Sequence, residues 1–285
     1  MLEKLLFSTL VMPGELVRIA IALLGTAVTV YYDIFNNRNI PNNILYAFLA
    51  IAFLTNLVFF NADVLIYGAG LTAILFAFGF ILYRAGQLGG ADLFVICAIT
   101  LLLPLHPSFL STPFNYPLIF STLLYSGVAF AVFSIFFFGN LLIKSKKAKP
   151  NLLYLSLIIP YLLFSYIFLT APFFSPVYFF IASILMLSAI FYLVYRNSIN
   201  EAITQKVKLS TLKGDEDVLA KEKMSDLMKK LKIGPVIGKG ELNALKRAKV
   251  KEVWIYAELP PFLPFLFIGL LASILFGDWI FLVFY

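Results

Sequence analysis

Two aspartates stand where an apolar chain has little reason to carry them. Asp92 ends the stretch Gly86-Gln87-Leu88-Gly89-Gly90-Ala91-Asp92, between the apolar runs Gly68–Tyr83 and Leu93–Leu105. Asp33 lies at the far end of an earlier apolar run, in Tyr31-Tyr32-Asp33-Ile34-Phe35-Asn36-Asn37-Arg38-Asn39-Ile40-Pro41-Asn42. A carboxylate near the centre of a spanning helix costs about 3 kcal/mol on insertion scales, so an acid in such a place is a functional candidate with a partner to be named. Two carboxylates that share a site do not both ionise readily, and they titrate as a unit. One can take a proton from water while the other, protonated, polarises a peptide carbonyl. That is peptide-bond hydrolysis with no nucleophilic side chain and no metal. For Asp92 alone the plainer reading is a cap, because an aspartate at a helix start accepts hydrogen bonds from free amides. The glycines before it let the backbone turn freely and let another chain come close.

The elements that must hold these acids are membrane helices. Of 285 residues, 61% are hydrophobic and 13% charged, against roughly 45–50% apolar and 25% charged in a soluble domain. The composition excludes a soluble globular protein. The formal charge of +7 is segregated: of 22 Lys and Arg, fourteen fall between Arg196 and Lys251 and four in Lys144–Lys149. This pattern suits loops beside an anionic leaflet and speaks against nucleic acid as a partner. One cysteine, Cys97, excludes an internal disulfide, and one histidine, His106, argues against a histidine-rich metal site. No cofactor is called for. Leu5–Met12 ends at Pro13-Gly14 without a small-residue cleavage site, so no cleavable signal is expected and Met1–Pro13 reads as interfacial.

The expected fold is an all-α polytopic membrane protein of about eight transmembrane helices, with a small soluble α+β segment before the last helix. The spans read as Leu16–Tyr32, Ile44–Phe60, Gly68–Tyr83, Asp92–Leu105, Leu118–Ile143, Leu152–Thr170, Pro176–Tyr195 and Leu263–Tyr285. Three regions follow: a helical core over 1–195 with both acids, a basic cytoplasmic segment over 196–257, and a C-terminal helix within 258–285. In the segment, Lys206–Leu212 and Val253–Tyr256 read as extended, and Glu216–Lys230 and Glu241–Lys249 as helical. Arg38, Arg84, Lys144–Lys149 and the basic segment all fall on one side, which the positive-inside rule makes the cytoplasm; Lys4 and Arg18 oppose this weakly. Asp33 ends an inward helix and Asp92 begins an outward one, so both reach the cytoplasmic boundary of the cell membrane.

The order Tyr-Asp, then Ile-Pro-Asn, then two spans later Gly-Gly-Ala-Asp resembles the membrane aspartic peptidases with a G-x-G-D signature. Within that group it resembles the type IV prepilin peptidase and archaeal preflagellin peptidase family. Asp33, Arg38, Ile40, Pro41 and Asn42 match its first motif, and Gly89, Gly90, Ala91 and Asp92 its second. Glu252-Val253-Trp254-Ile255, Pro260, Pro264 and Gly277-Asp278 are similar to the end of the archaeal members. The resemblance implies an aspartic endopeptidase that removes the short basic leader of prepilin-like or preflagellin-like precursors. Asp33 and Asp92 would be catalytic, with Gly89, Gly90, Arg38, Ile40 and Pro41 shaping the loops. Ala91 stands where many members carry Gly, Phe94 where a Lys is usual, and Leu152–Tyr195 is an extra helix pair. A presenilin-like or signal-peptide-peptidase-like protease shares the order of the two acids, but its Pro-Ala-Leu motif is missing here. A transporter relaying protons or a cation through the same pair is the reading from another class. Cys97 reads as a packed thiol, His106 as solvated in an outer loop, and Asp63 and Asp278 as interfacial.

Overall fold

The computed structural model describes residues 10–36, 39–110, 116–145, 148–171, 174–212, 217–257 and 259–277. Arg38, Asp278 and most of Met1–Pro13 lie outside the described residues. The apolar helices are α1 (Glu15–Phe35), α2 (Asn42–Val58), α3 (Ala62–Arg84), α4 (Gly90–Leu102), α5 (Leu118–Ser145), α6 (Leu152–Leu155), α7 (Ile158–Thr170), α8 (Pro176–Ile203) and α11 (Leu263–Phe276). Between α8 and α11 come β1 (Thr204–Lys208), β2 (Asp217–Val218), α9 (Lys221–Leu231), β3 (Val236–Ile237), α10 (Lys239–Arg247) and β4 (Glu252–Tyr256).

The expectation of eight spans is corrected to five among the described residues. Long and apolar enough to cross a membrane are α1, α3, α5, α8 and the run Leu152–Thr170, which a turn at Ser156-Leu157 divides into α6 and α7. Helices α2, α4 and α11 have 17, 13 and 14 residues. At 1.5 Å per residue these reach only about 20–25 Å, short of a hydrocarbon core of about 30 Å. Apolar composition counts residues, whereas spanning needs an unbroken helix. Leu103–His106 leaves the helix yet stays buried. The chain is a multi-pass membrane protein all the same.

Helix α4 is apolar on every side and is buried nearly throughout, the mark of a central helix. It packs against α1, α2 and α3. On α1 the buried positions Arg18, Ala22, Thr26, Thr29 and Asp33 form one stripe at helical spacing. Its small members allow close approach, and a Cβ at Gly25 would fall 2.1 Å from the Phe48 ring of α2. The hydroxyls of Thr26 and Thr29 donate to the carbonyls of Ala22 and Thr26 on their own helix.

Arg18 has no exposed surface. Its Nε donates to Pro13 O (2.8 Å), one terminal nitrogen to Asn56 Oδ1 (2.9 Å) and Leu102 O (3.1 Å), and the other to Phe59 O (3.2 Å). Asn56 donates in turn to Leu101 O at 2.9 Å. The start of α1 is thereby locked to the ends of α2 and α4, so both run antiparallel to α1. Helix α11 packs on α5 and α1. Gly269 lets it close on α5, since a Cβ there would meet Ser126 Oγ at 2.1 Å, and Thr122 and Ser273 share a hydrogen bond of 2.8 Å.

The polar segment has its own core of Leu209, Leu219, Met224, Ile237, Leu242, Leu245, Val253 and Ile255. Strands β1 and β4 pair antiparallel with Thr204 opposite Tyr256, and β2 pairs antiparallel with β3. The expected helix from Glu216 starts instead at Lys221, because Asp217-Val218 is drawn into the β2–β3 ladder. Burial raises the Glu222 carboxyl, but hydrogen bonds from Tyr256 and Asn200 outweigh it and leave it below the usual range. Those bonds tie α9 to β4 and α8.

His106 is not solvated as expected. It is 5% exposed, its Nδ1 lies 3.1 Å from Tyr116 O and its Nε2 lies 3.2 Å from Ser121 Oγ. Burial pushes its imidazole down to about 4.

Two outcomes follow from this packing. Arg18→Met leaves several buried carbonyls without a donor, and should lower stability by about 3–5 kcal/mol. Arg18→Lys should recover only part of the loss, because one ammonium cannot span the fork. Unfolding in mild detergent measures both. Below pH 6.5 the unfolded chain binds a proton at His106 that the folded chain refuses down to about pH 4. Stability present above pH 6.5 is therefore lost as pH falls toward 4, by up to about 3 kcal/mol. The His106→Gln protein should lose less between pH 7 and pH 4.5, and an unchanged loss would show that another group carries it.

Candidate functional site

The Arg18 lock decides where the two acids stand. Asp33 is fifteen residues along α1 from Arg18, and Asp92 is ten residues back along α4 from Leu102, or about 22 Å and 15 Å of helix. Because the helices run antiparallel and touch, both acids lie at the end of the bundle away from Arg18. Asp33 sits on the core-facing stripe of α1 and is 8% exposed. Asp92 is partly buried in the first turn of α4.

The sequence between α3 and α4 dictates a defined turn and not a loose loop. Gly86 N–H donates to Tyr83 O (2.8 Å) and Gln87 N–H to Leu82 O (2.9 Å), the paired bonds of a Schellman motif closing α3. That motif needs a left-handed residue, and Gly86 has φ of +72°. Gly89 N–H donates to Asp92 Oδ2 at 3.2 Å, so the capping role weighed for Asp92 is realised through one of its oxygens. A Cβ on Gly89 would lie 2.8 Å from that oxygen, so glycine there leaves room for the carboxylate. Gly90 is buried and opens α4. The free turning expected of these glycines is thus used up in specific jobs.

Pro41 precedes α2, and Ile40 is buried in the main core, which fixes the return of the chain after α1. Tyr46 of α2 meets Phe94 edge-to-face at 5.6 Å, bracing α4 two residues beyond Asp92. Among the described residues no group of three or more His, Cys, Asp or Glu could hold a metal ion. His106 and Ser121 are coupled but buried beside the opposite end of α4, away from both acids.

Sequence reasoning missed one set of residues. The polar segment docks on the turn before Asp92. Lys221 Nζ donates to Ala85 O at 2.8 Å, adding a cation at the negative end of α3. A Cβ at Gly86 would lie 3.2 Å from Val218 Cγ1 and 3.4 Å from Pro235 Cγ. No local pattern announces this contact, since it arises only once the β2–β3 ladder has formed. The basic character of the segment was the sole visible signal.

Over 104 residues the chain is 36% identical to a protein named prepilin peptidase EppA from Methanothermobacter thermautotrophicus. The match takes in 35% of this chain and 27% of that protein. The chain thus spans about a quarter of the length of this distant relative, which supports an association at the level of the family only. No family model matches the chain, and no solved structure matches it.

The turn yields a direct test. Gly86→Ala forces a left-handed alanine, costing about 1 kcal/mol, and crowds Val218. Gly127→Ala, in α5 with nothing within 4 Å of the new Cβ, should be neutral or stabilising by up to about 1 kcal/mol. Unfolding midpoints of the two proteins should shift in opposite directions or, at the least, only the first should fall.

Proposed function

We propose that this chain is a membrane aspartic endopeptidase whose catalytic pair is Asp33 and Asp92. Its substrates are prepilin-like or preflagellin-like precursors, from which it removes a short basic leader at the cytoplasmic face. The observation that carries the reading is the antiparallel pairing of α1 and α4, through which two acids 59 residues apart in the chain share one end of the bundle. The partial similarity to a prepilin peptidase supports the same reading. So does the segregation of Lys and Arg, which favours the cytoplasm for the face bearing the polar segment.

In this mechanism one carboxylate is ionised and takes a proton from water, while the other is protonated and donates to the scissile carbonyl oxygen. The water oxygen bonds to the carbonyl carbon to give a gem-diol, and the acids exchange their proton states. The newly protonated acid then gives its proton to the amide nitrogen, and the other takes a proton from a gem-diol hydroxyl. The C–N bond breaks to release an amine and a carboxylic acid. Asp33, held on a rigid stripe, suits a fixed role. Asp92, at a helix start beside Gly89, suits a carboxylate that adjusts as the peptide enters. Arg38 is proposed to shape the loop after α1 with Ile40 and Pro41.

Purified protein mixed with a prepilin-type peptide tests the reading. Asp33→Asn and Asp92→Asn should each reduce cleavage by on the order of 10^2–10^4-fold, the usual worth of a general acid or base. The double variant should be little worse, because the pair acts as a unit. Gly89→Ala, which presses on the Asp92 carboxylate, should cut cleavage more than it cuts stability, whereas Asp63→Asn should stay active. Full activity in either Asp33→Asn or Asp92→Asn would end the proposal.

A further inference from the structure

The turn before Asp92 also fixes the position of a groove that the peptidase reading does not use. It lies along α9, has a volume of about 370 Å³, and is lined by Lys221, Ser225, Met228, Lys229, Lys232 and Ile233. On α9, positions 221, 225 and 228 fall on one face, and Lys232 follows directly after the helix end. Three ammonium groups and one hydroxyl therefore border a floor made by Met228 and Ile233, which rest on the segment's own core. None of the lining residues is acidic.

Two features argue against a merely solvated lysine face. The end of α9 is already closed by its backbone, Ile233 N–H donating to Met228 O and Lys232 N–H to Lys229 O, so the lysines are not needed to cap it. At the left-handed position of this end, where glycine is the usual residue, the chain keeps a lysine, Lys232, with φ of 53°. The second feature is position. Lys221, at one end of the groove, bonds to Ala85 O. Ala85 directly follows α3, one of the helices long enough to span the membrane. Val218 and Pro235, which flank α9 in the chain, both pack on Gly86. One end of the groove thus adjoins the end of a helix long enough to cross a membrane.

We propose that this groove binds the headgroup of an anionic phospholipid, its phosphate between Lys229 and Lys232 with the Ser225 hydroxyl as a further donor, and its apolar part against Met228 and Ile233, while Lys221 stays on Ala85 O at the other end of the groove. A bound lipid would anchor the polar segment to the membrane beside the turn that precedes Asp92. The site is independent of the chemistry at Asp33 and Asp92.

The test uses the full chain in nanodiscs, with Ser225→Cys in a Cys97→Ala background and a neutral maleimide. Labelling should be roughly fivefold slower or more in discs of phosphatidylcholine with one-third phosphatidylglycerol than in phosphatidylcholine alone, in keeping with the pull of an anionic surface on each lysine. Adding Lys229→Gln and Lys232→Gln, both exposed positions, should abolish the difference. A reporter at Asn243→Cys on α10, also exposed, should show none. Equal rates in the two discs would overturn the assignment, as would slowing that survives the glutamine changes or that is equal at position 243. Equal protection by inorganic phosphate in phosphatidylcholine discs would mark a free-anion site and overturn the lipid.

Discussion

The buried guanidinium of Arg18 is the constraint from which the bundle's geometry follows. A charge removed from water is prohibitive unless it is fully hydrogen-bonded, and this one always keeps its proton. Its solution is to face carbonyls at the ends of α2 and α4, where the helix dipoles present negative charge. That solution works only if the start of α1 and the ends of α2 and α4 meet at one level. Once they do, the end of α1 and the start of α4 have no choice but to meet at the other. The site's geometry is thus set some 20 Å from the acids, by a residue that takes no part in their chemistry.

Part of this architecture is legible in the sequence, and the reasons why the rest is not are physical. Asp33 stands out because an acid ends an apolar run there; that it shares a buried face with Arg18, Ala22, Thr26 and Thr29 shows only in the structure. Asp92 stands out because Gly89 and Gly90 punctuate an apolar stretch. Helix ends were harder to read. Leu103 and Leu105 are as apolar as their helical neighbours, yet they are buried in irregular backbone, so hydropathy extended α4 too far. His106 was misread for a related reason. Prolines mark a turn, but they do not say whether the turn faces water, and here Tyr116 and Ser121 close over the ring. The contact of Lys221 with Ala85 joins residues 136 apart, and no local pattern encodes a pairing of that kind.

The turn between α3 and α4 shows how closely structure and chemistry share residues. Each glycine has a separate duty: Gly86 ends one helix, Gly89 makes space for a carboxylate, and Gly90 opens the next helix. The bond from Gly89 N–H to Asp92 means that any movement of this carboxylate toward a substrate loosens the first turn of α4. The central helix and the proposed catalytic group are therefore mechanically coupled.

Helix α11 packs on both α5 and α1, although the ribosome makes it more than two hundred residues after α1. At roughly 5–20 residues per second, on the order of ten seconds or more separate the two helices in synthesis. During that interval α1, with Arg18 and Asp33 already in the bilayer, must find α2 and α4 without its later neighbour. The Arg18 lock needs only the first hundred or so residues, so it can form while α11 is still unmade. Assembly then has a natural order in time, in which the acid-bearing half is built first and α11 closes it from the side.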